Sequence, residues 1–182
     1  MKKTFASIAL AFSLSLLSHA QMYDGTSTWN GNNAFSFISM EGVKMQSIEE
    51  ALKKCLESGA RLCSYQNSKT NKFNNVEWSY LHNMKRHYHS ITSTVESLDD
   101  LDLSEGELYT ENDGWLAHKR APLTIDGVRA MALMKALHSC YNDGYRFCVL
   151  LTVPLITQNQ SIGKNYYINA EASVQGYKLR RE

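Results

Sequence analysis

Two segments of the chain, ISMEGVKMQSIEEALKKCLESGARLC (residues 38–63) and LTIDGVRAMALMKALHSCYNDGYRFC (residues 123–148), align with each other without a gap. Their cysteine pairs, Cys55/Cys63 and Cys140/Cys148, have the same spacing and stand 85 positions apart. Further matches are Gly42/Gly127, Ala51/Ala136, Leu52/Leu137, Gly59/Gly144 and Arg61/Arg146. Gapless self-similarity of this kind indicates one supersecondary unit used twice. We therefore predict an α+β fold with two tandem related units and an antiparallel or mixed sheet.

Each unit is expected to contain a helix that ends at a glycine and is followed by a strand. Ser47-Ile48-Glu49-Glu50 has the form of a capping box, which predicts a helix beginning at Ile48. Gly59 suits the left-handed conformation that ends helices, and Arg61–Tyr65 alternate as a half-buried strand does. The apolar stripe facing the core is predicted to comprise Ile48, Ala51, Leu52, Cys55 and Leu56.

The second unit repeats this plan. Asp126 is a candidate N-cap, Gly144 ends the helix, and Phe147–Val153 is a β-rich apolar run that Pro154 ends. Its stripe is predicted to comprise Leu133, Ala136, Leu137, Cys140 and Tyr141.

Other segments give a coarser prediction. The residues before each helix, Ala34–Met40 and Leu123–Ile125, are expected to be extended, and Asn67–Asn75 is expected to be a loop. Tyr88–Val95 and Tyr167–Val174 match weakly and are candidate closing strands of the two units.

The N-terminal residues have the pattern of a bacterial signal peptide. Lys2 and Lys3 precede an uncharged apolar run, and Ser18-His19-Ala20 supplies small residues before a cleavage site. We predict a signal peptide at 1–20, a first α+β repeat unit at 21–97, an acidic connector at 98–111 and a second unit at 112–182. The protein is expected to be periplasmic or secreted, without stable membrane insertion.

The cysteines are expected to form disulfides, because their number is even and the predicted destination is oxidising. Four cysteines allow three connectivities. Since each unit is expected to close its own bond, we predict Cys55–Cys63 and Cys140–Cys148, each joining a helix end to a strand.

The charge balance does not indicate an acidic or nucleic-acid partner. The chain has 19 basic and 18 acidic residues, and loss of the signal peptide would remove two lysines and no acid. The basic clusters, Lys85-Arg86 and Arg180-Arg181, are too small to form a nucleic-acid-binding stripe.

No pattern indicates a cofactor, a metal or a catalytic residue. His82, His87 and His89 lie close in sequence, but their spacing is no known metal signature. The chain has no Gly-x-Ser-x-Gly elbow and no phosphate-binding glycine loop. An envelope hydrolase that uses Glu77, Asp113 or a histidine as its acid or base stays an alternative.

Aromatic and amide residues before each helix are the candidate binding residues. Tyr23 and Trp29 precede the first helix, and Asn112, Asp113 and Trp115 precede the second. Aromatic faces flanked by polar groups suit recognition of proteins or sugars. The alternative is that the two tryptophans are core residues at equivalent places in the two units.

The segment Ala51–Ser64, with its Cys55, Gly59, Arg61 and Cys63, resembles a helix–glycine–strand segment of C-type-lectin-like and formylglycine-generating-enzyme-like domains. The resemblance covers about 14 residues and implies sugar or protein binding. In those families a Glu-Trp pair follows within a few residues, whereas Glu77-Trp78 comes much later here. The segment does not by itself assign a family, because a helix–glycine–strand turn recurs in unrelated folds.

These features together predict an exported, disulfide-stabilised binding protein without catalytic activity. Its partner is expected to be another protein, as for an inhibitor, an immunity protein or a secreted host-directed factor. A glycan-binding module and the envelope hydrolase are the alternatives.

Overall fold

The computed structural model describes residues 21–32, 36–73, 78–79, 84–118, 124–163 and 165–180. The predicted signal peptide at 1–20 lies outside the described residues. Within them the fold is α+β, with two helices and an antiparallel sheet. In chain order the elements are β1 (Met22–Asn32), α1 (Ser36–Glu57), β2 (Cys63–Phe73), β3 (Trp78–Ser79), β4 (Met84–Ser97), β5 (Leu103–His118), α2 (Thr124–Asn142), β6 (Phe147–Leu150), β7 (Leu155–Ile162) and β8 (Asn165–Leu179).

The sheet is arranged in the same way on both sides of its centre. Its strand order is β1-β4-β2-β6-β8-β5, while β3 pairs with β4 and β7 pairs with β8. Counted from either edge, the outermost strand is the one that precedes the helix in sequence, β1 or β5. The next is a long strand, β4 or β8. The strand that follows the helix in sequence, β2 or β6, lies at the centre. The two halves are joined at one described backbone pairing, between Ser64 of β2 and Val149 of β6. These two residues directly follow Cys63 and Cys148, so they occupy equivalent positions.

Strand registers extend this equivalence to the long strands, β4 and β8. Tyr65 is opposite Val95, and Leu150, its equivalent in the second half, is opposite Val174. The weak sequence match between Tyr88–Val95 and Tyr167–Val174 is therefore a match between β4 and β8 in corresponding register.

Both helices pack on the same face of the sheet and share one core. Fully buried residues from α1, α2 and the two long strands contribute to it: Met45, Ile48, Ala51, Cys55, Val95, Val128, Leu133, Ala136, Cys140, Ile168, Ala170 and Val174. A smaller apolar cluster, with Leu98, Phe147 and Val149, packs separately from this core. Because the helices contact each other as well as the sheet, the two halves form a single folded body.

Two residues of the predicted stripes are not core residues. Leu56 is 55% exposed and Tyr141 is 37% exposed, whereas the rest of each stripe is buried. Both lie in the last turn of their helix, where the chain leaves the core to turn back into the next strand. Helical periodicity alone does not show where that departure occurs.

The predicted helix starts are wrong. α1 begins at Ser36, well before Ile48, so Ser36–Met40 are helical rather than extended. Ser47 is inside the helix and donates a hydrogen bond to the Lys44 carbonyl at 2.8 Å, so it is not an N-cap. The helix extends upstream because Val43 and Met45 bury their side chains completely, which outweighs a local capping pattern.

The second helix and the first central strand also differ from expectation. α2 begins at Thr124, so Asp126 is an acidic residue of the first turn rather than the N-cap. Asn67–Phe73 belong to β2 and not to a loop, because β4 supplies them with backbone partners along its length. The strand predicted over Phe147–Val153 stops at Leu150.

Much of the predicted acidic connector is a strand. Residues 103–111 lie in β5 and pair with β8, from Leu103 opposite Leu179 onward. Only residues 98–102 link β4 to β5. The acids of this region reside on the outer strand of the sheet, where solvent accepts charge without disturbing the pairing.

The two predicted disulfides are confirmed. Cys55 is bonded to Cys63 and Cys140 to Cys148, and each bond joins a helix to the strand that follows it. Gly59 and Gly144 lie inside the closed loops with φ of +96° and +79°. Glycine is the residue that adopts this left-handed conformation without steric cost, as expected for helix ends.

A chain of hydroxyl groups runs beneath α1. The Tyr65 hydroxyl donates to Ser68 Oγ at 3.0 Å, and Ser68 and Ser47 each contact the buried Ser93 Oγ, at 2.6 and 2.5 Å. Since Ser47 donates onward to the Lys44 carbonyl, every donor in the chain has an acceptor. In the second half the positions equivalent to Ser47 and Ser93 are the buried Ala132 and Ala172.

We predict that loss of either disulfide destabilises the protein to a similar extent. The chain-entropy relation gives about 2.5 kcal/mol for a loop this short. Urea unfolding of Cys55→Ser/Cys63→Ser and of Cys140→Ser/Cys148→Ser measures both. A loss confined to one of the two variants would contradict the prediction.

We also predict that Ser93→Ala lowers the free energy of unfolding by about 1–3 kcal/mol, because the Ser47 and Ser68 hydroxyl groups each lose one of their hydrogen bonds. The double variant Ser47→Ala/Ser93→Ala should lose less free energy of unfolding than the sum of the losses in the two single variants. Its two alanines then match Ala132 and Ala172 at the equivalent positions of the second half. The control is Ser173→Ala, whose exposed hydroxyl contacts Thr110 Oγ1. Additive losses in urea unfolding would show that the hydroxyl groups do not act as a chain.

Candidate functional site

The predicted binding tryptophans lie on opposite edges of the sheet. Trp29 is on β1, opposite His89 of β4, and Trp115 is on β5, opposite Ile168 of β8. These registers are equivalent in the two halves. Five strand spacings separate β1 from β5, which corresponds to roughly 24 Å. The two tryptophans therefore do not form one ligand site. Trp115 is 38% exposed, and the Trp29 side chain lies outside the described residues.

The polar groups of the other predicted binding residues connect outer strands to helices. The Tyr23 hydroxyl donates to Ser58 Oγ at 2.6 Å, at the end of α1. Asp113 forms an ion pair with Lys135 of α2 at 3.0 Å, and the Asn112 carbonyl accepts from the same ammonium at 3.4 Å. The structure thus places Asn112, Asp113 and Trp115 together on β5, and Tyr23 on the opposite edge.

A different surface concentrates exposed apolar side chains. Among the residues whose burial is described, nine large hydrophobic side chains are exposed. Four of them lie between positions 151 and 156: Leu151, Val153, Leu155 and Ile156. Leu151 and Val153 belong to the short link between β6 and β7, and Leu155 and Ile156 begin β7. Leu56, at the end of α1, lies beside this segment.

The link and α1 enclose a depression of about 400 Å³ that we call the Val153 depression. Leu52, Leu56 and Val153 supply its apolar lining, and its charged lining comes from Glu49, Lys53 and Glu57. Lys53 and Glu57 pair with each other at 3.7 Å. An apolar concavity bordered by self-compensated charges suits an uncharged side chain better than an ion.

Arg129 of α2 holds the link in place. Its Nε donates to the Pro154 carbonyl at 2.9 Å, and its Nη1 donates to Asp126 at 2.9 Å. Its Nη2 pairs with Glu49 of α1, one of the residues that line the depression. Pro154 itself is buried, while its neighbour Val153 is 44% exposed. One guanidinium therefore fixes the backbone that presents Val153.

The equivalent surface of the other half is closed. Tyr141 of α2 occupies the position equivalent to Leu56, and its hydroxyl donates to the Tyr65 carbonyl of β2 at 2.7 Å. Partial burial raises the pKa of Tyr141 above its ordinary value, which already lies well above neutral pH, and the phenol is therefore a donor. In that half β2 also continues without a break, whereas β6 stops at Leu150 and β7 resumes at Leu155. The depression thus arises where the two halves differ.

A second concavity, of about 600 Å³, lies around the link between β4 and β5. Asp99 accepts hydrogen bonds there from the backbone N–H groups of Arg61 and Leu62, at 2.7–2.9 Å. Arg180 contacts Asp102 at 3.4 Å and donates to the Leu103 carbonyl at 3.0 Å. These groups hold the link between β4 and β5 in place, and the concavity is lined by both positive and negative side chains. Its geometry therefore indicates no particular class of ligand.

Within the described ranges, no group of three or more His, Cys, Asp and Glu side chains could hold a metal ion. His82 and Glu77 lie outside the described residues, as do the side chains of His87 and His89. Neither described helix is long and apolar enough to cross a membrane.

The chain matches no protein-family model, and no curated protein or solved structure is significantly similar to it. The resemblance of Ala51–Ser64 to lectin-like domains therefore remains confined to that segment.

Sequence reasoning missed the Val153 depression because Leu56 fits a core stripe and Val153 fits the end of a buried strand. One signal was present. No charged residue occurs from Phe147 to Gly163, in a chain in which 20% of the residues are charged. Pro154 within that run also marks a break in the strand.

We predict that Arg129→Met loosens the 151–156 segment and lowers the free energy of unfolding by about 1–3 kcal/mol, because it removes charge-assisted hydrogen bonds. Hydrogen exchange should become faster at 151–156. The matched control is Lys44→Met at the equivalent position of α1, because Lys44 pairs with Glu41 of its own helix. Equal exchange rates at 151–156 in both variants would contradict the role of Arg129.

Proposed function

We propose that the protein is an exported, disulfide-stabilised binding protein that engages another protein through the Val153 depression. The observation that carries the proposal is the exposed apolar segment Leu151–Ile156, held against α1 by Arg129. Contiguous apolar surface on a folded protein commonly marks an interaction site.

The arrangement has the character of a small protein interface. Interfaces combine an apolar centre with a polar rim, and their affinity is concentrated in a few side chains that fill pockets. Here Leu52, Leu56 and Val153 supply the apolar centre, and Glu49, Lys53 and Glu57 supply the rim. Because Arg129 already orders the link, binding need not supply the free energy of ordering it. We infer that the occupant is an apolar side chain of the partner.

The two disulfides bear on the compartment in which the protein acts. Disulfides persist in oxidising compartments, and both bonds join neighbouring elements within one half. With the signal-peptide pattern at 1–20, they support a periplasmic or secreted bacterial protein. We further infer that the two halves are copies of one unit, and that only one of the two equivalent surfaces kept an open depression.

A glycan is the second candidate ligand, and Trp115 favours it. This side chain is partly exposed on β5 beside the polar Asp113 and Asn112. An exposed indole can stack on the apolar face of a sugar ring.

The test is capture from bacterial envelope and culture-medium fractions by the disulfide-bonded protein, with mass spectrometry and carbohydrate analysis. We expect one protein to be captured and Val153→Glu and Leu56→Glu each to weaken its binding at least about tenfold, as for hot-spot residues. The matched control is Leu108→Glu, which alters an equally exposed leucine on β5.

Equal loss of binding in Leu108→Glu, or full binding by Val153→Glu, would contradict the proposed site. If the parent protein captures polysaccharide and the Trp115→Ala variant does not, the result would favour a glycan as the ligand. Turnover of a captured molecule would instead support the hydrolase alternative.

A further inference from the structure

Several strand edges have no neighbouring strand among the described residues. Besides the edge of the two-residue β3, they include the outer edges of β1 and β5, the part of β2 beyond its pairing with β6, and the outer edge of β7. Since β2 and β6 run antiparallel through Ser64 and Val149, β2 and β7 extend in opposite directions from the centre. The free edge of β7 is therefore not covered by β2.

Charge distinguishes β7 from the free edges of the longer strands β1, β2 and β5. β1 carries Asp24, β2 carries Lys69, and β5 carries several acids, including Glu105 and Glu107. Charged residues are a common device against edge-to-edge pairing. β7, with the sequence LITQNQSI, has none.

β7 is also accessible on both faces. Every side chain from Leu155 to Ser161 is exposed, including those in register with the helix-covered residues of β8. Ile156, for example, is opposite the fully buried Ala170 but is itself 38% exposed. The strand thus reaches beyond the cover of the helices, and a second strand can approach it without displacing any described element.

The residues of β7 are compatible with pairing to themselves. A bulge interrupts the register between Ile156 and Gln158, and the strand is regular from Gln158 onward. Antiparallel pairing of two copies centred on Gln160 places Gln160 opposite Gln160 and Asn159 opposite Ser161. A residue on a two-fold axis faces its own copy, so a charge there would repel itself. A carboxamide has both donors and an acceptor and can bond to its own copy.

We propose that the free edge of β7 is an interface at which two copies of the chain pair antiparallel, with Gln160 on the two-fold axis, so that the sheet continues across the dimer. The occupant is a second copy because an uncharged, self-complementary edge fits an isologous contact. Such a dimer carries two Val153 depressions on one particle and can bind a repeated or dimeric partner with avidity.

The test is the oligomeric state of the disulfide-bonded protein, measured by analytical ultracentrifugation over a range of concentrations. We expect a reversible dimer. Gln160→Lys and Gln160→Glu should each raise the dimer dissociation constant at least about tenfold, because like charges then face each other. An equimolar mixture of the two variants should restore a dimer. The control is Asn67→Lys on β2, which should dimerise like the parent protein.

A second measurement does not depend on charge. Opposed residues of antiparallel strands have Cα atoms about 4.5–5.5 Å apart, which a disulfide can bridge. Gln160→Cys should therefore form a covalent dimer on a non-reducing gel, and Asn67→Cys should not. A parent protein that stays monomeric at every concentration would overturn the proposal. A mixture of the two charged variants that stays monomeric would also overturn it.

The dimer test is independent of the proposed partner. If the protein is monomeric but binds its partner through Val153, the dimer proposal is wrong and the proposed function is supported. If the protein is a dimer and its Val153→Glu variant still binds the partner, the proposed function is wrong and the dimer proposal is supported.

Discussion

The packing of α1 against α2 is the interaction on which the rest of the structure depends. The two halves of the sheet share one described backbone pairing, between Ser64 and Val149, and a single pairing is too little to join two sheets. The helices supply the missing contact, because their apolar stripes meet over the centre of the sheet. Gln46 adds a polar contact, donating to Asp126 of the opposite helix at 3.0 Å. Each half alone would expose the stripe that the other half covers.

Because the two halves have nearly the same fold, the places where they differ help to locate the candidate binding surface. The hydroxyl chain of the first half, through Ser47 and Ser93, is replaced by alanines in the second, so equivalent interiors are filled by different chemistry. At the surface, Tyr141 closes one helix end against β2, while Leu56 leaves the other end open. The candidate binding surface therefore does not follow from the repeated pattern. It arises where a break between β6 and β7 lets residues from both halves meet.

Arg129 shows how a shared position acquires a local role. It is equivalent to Lys44, and each pairs with an acid three residues earlier in its own helix. Arg129 additionally contacts Glu49 of the other helix and the Pro154 carbonyl. A guanidinium makes several directional hydrogen bonds at once, whereas an ammonium acts more as a point charge. The arginine can therefore connect both helices and the link, which explains how the Val153 depression keeps its shape.

The sequence by itself determined the features that rest on short-range chemistry. The spacing of the cysteines gave the correct disulfides, Gly59 and Gly144 marked the helix ends, and the weak match of Tyr88–Val95 to Tyr167–Val174 identified equivalent strands. Only the tertiary structure decided that α1 begins at Ser36, that residues 103–111 form an outer strand, and that Leu56 faces an open depression. The reason is physical. Periodicity and turn residues report local backbone preference, whereas burial and strand pairing depend on partners far away in the chain.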